Sequence, residues 1–216
     1  MVFAQKHEIQ IGVQTGFAIP IGQFASGYGP YVDNGYASNG YNYKVYAEYR
    51  VKGVCFLGVS YINFSNSQNE GNVKNGFNNR FSTNNVKIDK ESNSQGVLGS
   101  IILKGTETPL FIKGFLGLGY STSGAISANN SFESTSTTPS TSDIGGISGI
   151  GIGFNIPIKN KWFVELEADY ISSAAKPQNI IYKDNNSSYY VNWGDITYNQ
   201  TVINLNIGVG VILFRE

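Results

Sequence analysis

Between Gln200 and Leu213 the chain changes chemistry at nearly every residue. Thr201, Ile203, Leu205, Ile207, Val209, Val211 and Leu213 share one face, while Gln200, Asn204, Asn206, Gly208 and Gly210 share the other, interrupted only by Val202 and Ile212. A period of two is a β-strand with one apolar side. At roughly 3.3 Å per residue and a tilt near 45°, about ten such residues cross the hydrocarbon of a bilayer. A strand of this kind needs either lipid or a large core against its apolar face, and the rest of the chain decides which.

Charged residues make up 14% of the chain, against roughly 25% in an ordinary soluble domain. Such a composition covers little surface with water-seeking groups. The 14 tyrosines, 13 phenylalanines and 26 glycines fit strands and turns. No stretch approaches the roughly 18 consecutive apolar residues of a membrane helix. The formal charge is zero and there is no basic run, so nucleic-acid binding lacks its electrostatic footprint. Cys55 is the only cysteine, which excludes an intrachain disulfide and a cysteine-based zinc site. Met1 to Gln5 resemble the tail of a cleaved secretory signal, with Val2 and Ala4 at the −3 and −1 positions, and this implies export. Residues 6–216 keep one texture and read as a single domain.

Period-two runs bounded by turn residues predict eight strands, near 7–18, 41–51, 54–64, 94–104, 109–122, 143–156, 161–171 and 198–214. Lys52-Gly53, Gly105 to Thr108 and Pro157 to Asn160 are short connections, whereas 19–40, 65–93, 123–142 and 172–197 are long. Short and long alternate. An all-β, eight-stranded antiparallel up-and-down transmembrane barrel has this asymmetry, with short periplasmic turns and long extracellular loops.

Alternate positions separate an apolar set from a small or charged set. Tyr41, Tyr43, Val45, Ala47, Tyr49 and Val51 oppose Asn42, Lys44, Tyr46, Glu48 and Arg50; Trp162, Val164, Leu166, Ala168 and Tyr170 oppose Phe163, Glu165, Glu167 and Asp169. In the third and fourth strands Phe56, Ile62, Leu98 and Ile102 fall on the polar face instead. A soluble barrel would put the apolar set inside, and a membrane barrel puts it outside. Filling an eight-stranded interior with Trp, Tyr, Leu and Ile from every strand would leave little ligand cavity. A Lys or Arg turned toward lipid at the midplane costs roughly 2–4 kcal/mol. Lys44, Glu48, Arg50, Lys113, Glu165, Glu167 and Asp169 are therefore expected in the lumen. Counting from the rims places Arg50, Lys113 and Glu165 in the periplasmic half, and Lys44 and Asp169 nearer the outer mouth. Tyr41, Tyr43, Tyr49, Tyr120, Trp162 and Tyr170 suit the interfacial aromatic girdles.

The chain resembles the OmpA/OmpX-like outer-membrane β-barrel family of the Gram-negative cell envelope in Gly16-Phe17-Ala18-Ile19-Pro20-Ile21-Gly22-Gln23-Phe24, in Trp162 to Tyr170 and in the closing Val202 to Phe214. The resemblance implies the fold, an outer-membrane address and insertion by a barrel-assembly machinery that reads the last strand. Strands of that kind often end on an outward aromatic. Here Phe214 lies on the opposite parity from Leu213 and is followed by Arg215 and Glu216, so only a bulge would turn it outward.

Catalytic patterns are weak. His7, the only histidine, sits at the start of the first strand, which leaves a Ser-His-Asp set dependent on a residue at the periplasmic rim. Glu165, Glu167 and Asp169 could act as acid and base in glycoside hydrolysis, but a lumenal salt-bridge ladder explains them more simply. Gly145 to Gly153 lacks the Lys-Ser/Thr of a phosphate loop and reads as a strand. Asp33-Asn34-Gly35 and Asp184-Asn185-Asn186 lack the spacing of an EF-hand loop and read as turns. No cofactor or metal is implied. The long loops carry Phe77, Arg80, Phe81, Tyr182, Tyr189, Tyr190 and Trp193, residue types that stack on sugars or contact protein, or that extend the sheets above the membrane. The leading expectation is a non-enzymatic, monomeric barrel with a side-chain-filled polar lumen, embedded in outer-membrane lipid and making surface contacts with extracellular glycan or protein through its loops. Alternatives are a narrow pore for ions or small polar solutes and a soluble secreted barrel binding an apolar ligand.

Overall fold

Gly53 takes a left-handed backbone, with φ at +54°, and this lets the chain reverse so tightly that Lys52 pairs with Cys55. The chain also reverses between Lys104 and Leu110, where the Gly105 N–H donates to Leu110 O at 2.8 Å, and between Lys159 and Trp162. Each short turn joins two long strands.

In the computed structural model these strands close into a barrel. The structure describes residues 8–25, 37–69, 71, 83–88, 92–105, 107–122, 126–130, 135–138, 142–159, 161–175, 180–184, 187–191 and 198–215. The barrel strands are β1 (Glu8–Pro20), β2 (Ala37–Lys52), β3 (Cys55–Gln68), β5 (Ser92–Lys104), β6 (Leu110–Thr122), β9 (Ser142–Lys159), β10 (Trp162–Ala175) and β13 (Tyr198–Arg215). They run antiparallel in the cyclic order β1-β13-β10-β9-β6-β5-β3-β2. All eight predicted strands are present, most of them longer than expected at the loop end. Closure leaves the barrel without a free edge.

The long connections also contain strands. β4 (Thr83–Ile88), β7 (Ile126–Asn130), β8 (Thr135–Thr138), β11 (Ile180–Asp184) and β12 (Ser187–Val191) form a second sheet in the order β12-β11-β8-β7-β4. Three loops thus share one sheet beyond the loop rim. The first long connection instead makes a 3-10 turn at Gly22–Phe24, reached through Gly22 at φ +61°, and Phe24 is buried in the barrel mouth.

The two faces of the barrel wall are sorted as the alternation predicts. Leu166, Ile207 and Val209 are 39%, 57% and 48% exposed, while Glu165, Glu167 and Asp169 are 1%, 5% and 1% exposed. Exposed aliphatics with buried carboxylates are the reverse of a soluble barrel, which excludes the apolar-ligand carrier.

The seam between β1 and β13 corrects the parity expected for Phe214. Gln10 pairs with Ile212 but Ile9 pairs with Phe214, so Leu213 is an extra residue in a bulge. The bulge resets the register, and Phe214 points outward at 60% exposure.

Candidate functional site

The lumen is the place where this sequence departs most from neutral packing, and it is built in layers. Nearest the turn rim, Arg50 Nη2 lies 2.6 Å from Glu8 Oε2, and Lys104 Nζ lies 2.5 Å from Glu48 Oε2. Lys104 also donates to Gln10 Oε1 at 2.5 Å. Its ammonium sits 4.9, 5.7 and 6.0 Å from the ring centres of Phe56, Phe111 and Phe163, a cation held by aromatic faces as well as by a carboxylate. Glu8 and Lys104 were absent from the expected charge set because strand ends read as water-facing rims.

A second ionic layer follows. Lys44 Nζ reaches Glu167 Oε2 at 2.7 Å and Asp169 Oδ2 at 3.1 Å, and Lys113 pairs with the same two carboxylates, lying 3.7 Å from Asp169 Oδ1. Gln14 donates to Glu167 at 2.8 Å and also to Glu165, Tyr46 donates its hydroxyl proton to Glu165 at 2.7 Å, and Asn206 donates to Asp169 at 3.1 Å. Buried charge persists where it is both paired and hydrogen-bonded.

This layer corrects the expected depths. Lys113 and Lys44 do not belong to separate halves of the lumen; they share one pair of carboxylates. The reason is the tilt of the strands. Counted from the turn rim, Lys113 lies three residues into β6 and Lys44 eight residues into β2, yet the stagger of a closed barrel brings them to one level. Glycines make the room. Phe111, Lys113 and Phe115 pair across to Gly153, Gly151 and Gly149, and a Cβ on Gly153 would lie 2.5 Å from Phe111 Cζ. A side chain at Gly151 would enter the Lys113, Glu167 and Asp169 cluster.

Beyond the ionic layer the lumen turns apolar. Ile62, Phe64, Leu98, Ile147, Ile171 and Val202 pack with Ala18, Ala37, Phe115 and Phe24 in one buried cluster. The amides of Asn42, Asn66 and Asn204 are buried among them, Asn42 across from Phe64 and Asn204 across from Ala18. At the loop end Ser94, Ser121 and Ser173 form a hydroxyl chain at 2.7 and 2.6 Å and Ser94 donates to Gln200 Oε1 at 2.5 Å. The lumen is thus polar at both ends of the barrel and mainly apolar across the septum between them. Ile62 and Leu98, on the polar face in the sequence, already marked the septum. Phe24 carried no such signal, because it comes from an irregular loop.

No family model and no curated protein matches the chain. Among solved structures, it is similar to a major outer membrane protein from Thermus thermophilus, at 12% identity over 96% of this chain and 99% of that one, with a TM-score of 0.51. It also aligns with the attachment invasion locus protein Ail of Yersinia pestis, at 14% identity over 98% and 100% of the two chains and a TM-score of 0.48. Neisserial surface protein A aligns at 14% identity over 95% and 96%, with a TM-score of 0.41. The fold is that of the OmpA/OmpX-like outer-membrane β-barrels. An apolar exterior around a ring of buried, paired charges requires lipid as its solvent, and the outer membrane supplies it.

In an outer-membrane barrel the short turns mark the periplasmic rim and the long loops the outer one. Trp162 and Tyr49 then lie toward the periplasm and Tyr41, Tyr43, Tyr120 and Tyr170 toward the outer leaflet, all of them outward and at least 40% exposed. Among the loop candidates, Tyr182 on β11 pairs with Tyr189 on β12, and Tyr190 pairs with Ile181. Phe77, Arg80, Phe81 and Trp193 lie outside the described residues, as do Met1 to His7. Among the described residues, no group of three or more His, Cys, Asp or Glu could hold a metal ion.

Proposed function

We propose that this protein is a non-enzymatic, monomeric outer-membrane barrel that anchors a rigid surface sheet in the envelope and makes its contacts there. The observation that carries the reading is the septum. The buried side chains of Ile62, Phe64, Leu98, Ile147, Ile171 and Val202, capped by Phe24, leave only the buried amides of Asn42, Asn66 and Asn204 as polar lining between the ionic layers and the outer hydroxyl chain. An ion moving through this section would exchange its hydration shell for a few amides in a packed apolar section, and the cost of that step closes the path. The carboxylates that could serve hydrolysis are sealed and committed: Glu167 and Asp169 hold two lysines, and Glu165 accepts from Tyr46 and Gln14. Function then falls to the loops, where β4, β7, β8, β11 and β12 hold a shared surface on a closed frame.

Planar-bilayer recording tests the closed lumen. We expect no conductance steps from the folded protein; discrete steps would replace this reading with a pore for small ions or solutes.

A further inference from the structure

The apolar exterior is not equally tall all the way round. On β9, exposed apolar side chains run from Ile144 to Ile158, with only Gly146 and Ser148 interrupting the outward row. At about 3.3 Å per residue and a strand tilt of about 40°, this row covers roughly 35 Å along the membrane normal. On β3 the outward row is Cys55, Leu57, Val59 and Tyr61, and then it becomes Asn63 and Ser65. That row covers only about 15 Å by the same geometry, as do Val97 to Leu103 on the adjoining β5, against the roughly 25 Å apolar band of an outer-membrane barrel.

The polar part of the short wall is organised. Tyr61 donates to Gln95 Oε1 at 2.8 Å, the Tyr43 and Tyr61 rings lie 5.9 Å apart, and Asn63 bonds with Asn93 at 3.4 Å. Asn63 faces outward yet is only 8% exposed. Phenols and amides at this depth belong to the headgroup region, where tyrosine concentrates. A rigid tilt raises one wall and lowers the other, but cannot lengthen a wall. A span too short for the hydrocarbon is met by thinning of the bilayer or by a covering partner. Asn63 and Asn93 exchange one hydrogen bond each way at 3.4 Å, which leaves each amide a second N–H for a neutral headgroup oxygen, and the wall carries no Lys or Arg to pair with a charged partner among its outward residues from Tyr41 to Tyr49, Leu57 to Ser65 or Asn93 to Leu103.

We infer that outer-leaflet lipid headgroups descend onto the β2, β3 and β5 wall at Tyr43, Tyr61, Asn63 and Gln95, so that the barrel thins the membrane on one side only. The contact is made through neutral hydrogen-bonding headgroup atoms, and it rests on the membrane-spanning reading given above.

Depth profiling with single nitroxide labels in phospholipid nanodiscs tests the inference. In a Cys55→Ser background, labels replace Leu57, Val59, Tyr61 and Asn63 on β3 and Ile150, Ile152, Phe154 and Ile156 on β9, and oxygen broadening is compared with broadening by a water-soluble nickel chelate. Oxygen should dominate at all four β9 sites and give way to the chelate between Val59 and Asn63. Oxygen dominance at Asn63→Cys equal to that at Ile150→Cys overturns the inference. So does dipolar broadening between labels at Asn63→Cys that persists with one barrel per ten discs, because a second copy would then cover the wall. Chelate access at every β9 site would take down the membrane reading itself, and the inference with it. As a second arm, the pair Asn63→Leu and Gln95→Leu should extend the oxygen-dominated window on β3 by at least two outward residues, with heat-shifted gel mobility confirming the fold; an unchanged window counts against the headgroup contact.

Discussion

Two layers of one lumen, a few residues apart along each strand, solve burial in opposite ways. The septum around Leu98, Ile147, Ile171 and Val202 excludes water mainly by the packing of apolar side chains around a few buried amides, with contacts that are numerous, weak and interchangeable. The layer of Lys44, Lys113, Glu167 and Asp169 excludes it by mutual neutralisation, in which each member depends on the others. The septum should therefore weaken in proportion to what is removed, whereas the ionic layer should fail when any single partner is lost. Closure and fragility reside in different places.

The sharpest test of that difference is Glu167→Ala, which leaves two lysine ammoniums sharing the single carboxylate of Asp169 in a sealed interior. A loss of about 4 kcal/mol is expected, from the cost of breaking a buried pair on one side only, read as the urea midpoint of the heat-shifted form in lipid vesicles. Replacing Lys44, Lys113, Glu167 and Asp169 together by Met, Met, Leu and Leu should cost little, because desolvation is removed along with attraction. If the fourfold variant loses as much as the single one, the ionic layer is a net attractive core and the contrast with the septum disappears. Leu98→Ala comes next, at about 3 kcal/mol for a truncated buried leucine, and it should leave planar bilayers silent because the surrounding septum residues remain. Conductance in that variant would show that one side chain is the barrier rather than the layer.

These layers were only partly readable in the chain. Alternation exposed the strands and sorted Glu165 from Leu166, because a period of two survives whatever the loops do. It also put Ile62 and Leu98 inside without saying that they meet. The level at which an inward residue sits depends on tilt and stagger, which come from ring closure and have no local signature; hence Lys113 was placed apart from Lys44. Glu8 and Lys104 were hidden for a related reason: charges at strand ends look the same whether they meet water or each other. The outer sheet was readable only as loop residues extending the sheets above the membrane, without its strands, because Thr135 to Thr138 and Ser187 to Ser188 alternate hardly at all in hydropathy. Phe214 is the converse case, in which the alternation was followed too literally and one extra residue reversed it.

A smaller effect probes how closely glycine positions are tied to the ionic layer. Gly151→Ala would push a methyl group into the space used by Asp169, Lys113 and Glu167, and overpacking of this kind costs about 2 kcal/mol. Gly146→Ala, at an outward position with open space around the added carbon, should by contrast stay within about 0.5 kcal/mol. Equal losses would mean that glycine serves the strand itself and not the charges beside it.

The least disruptive change is at the seam. Leu213 is the residue that the bulge leaves without a partner in β1, so deleting it joins Ile212 directly to Phe214 and makes the pairing with Gln10 and Ile9 regular. Phe214 remains opposite Ile9 and therefore remains outward. Only the contact of one exposed leucine with lipid is lost and a local irregularity removed, so stability should change by less than about 1 kcal/mol, and the heat-shifted form should persist. Deleting Ile212 instead brings Leu213 into the inward place opposite Gln10, exchanging one aliphatic for another while keeping Phe214 at Ile9. If both deletions abolish the folded form, the bulge contributes more than register, and the outward aromatic cannot be its whole purpose.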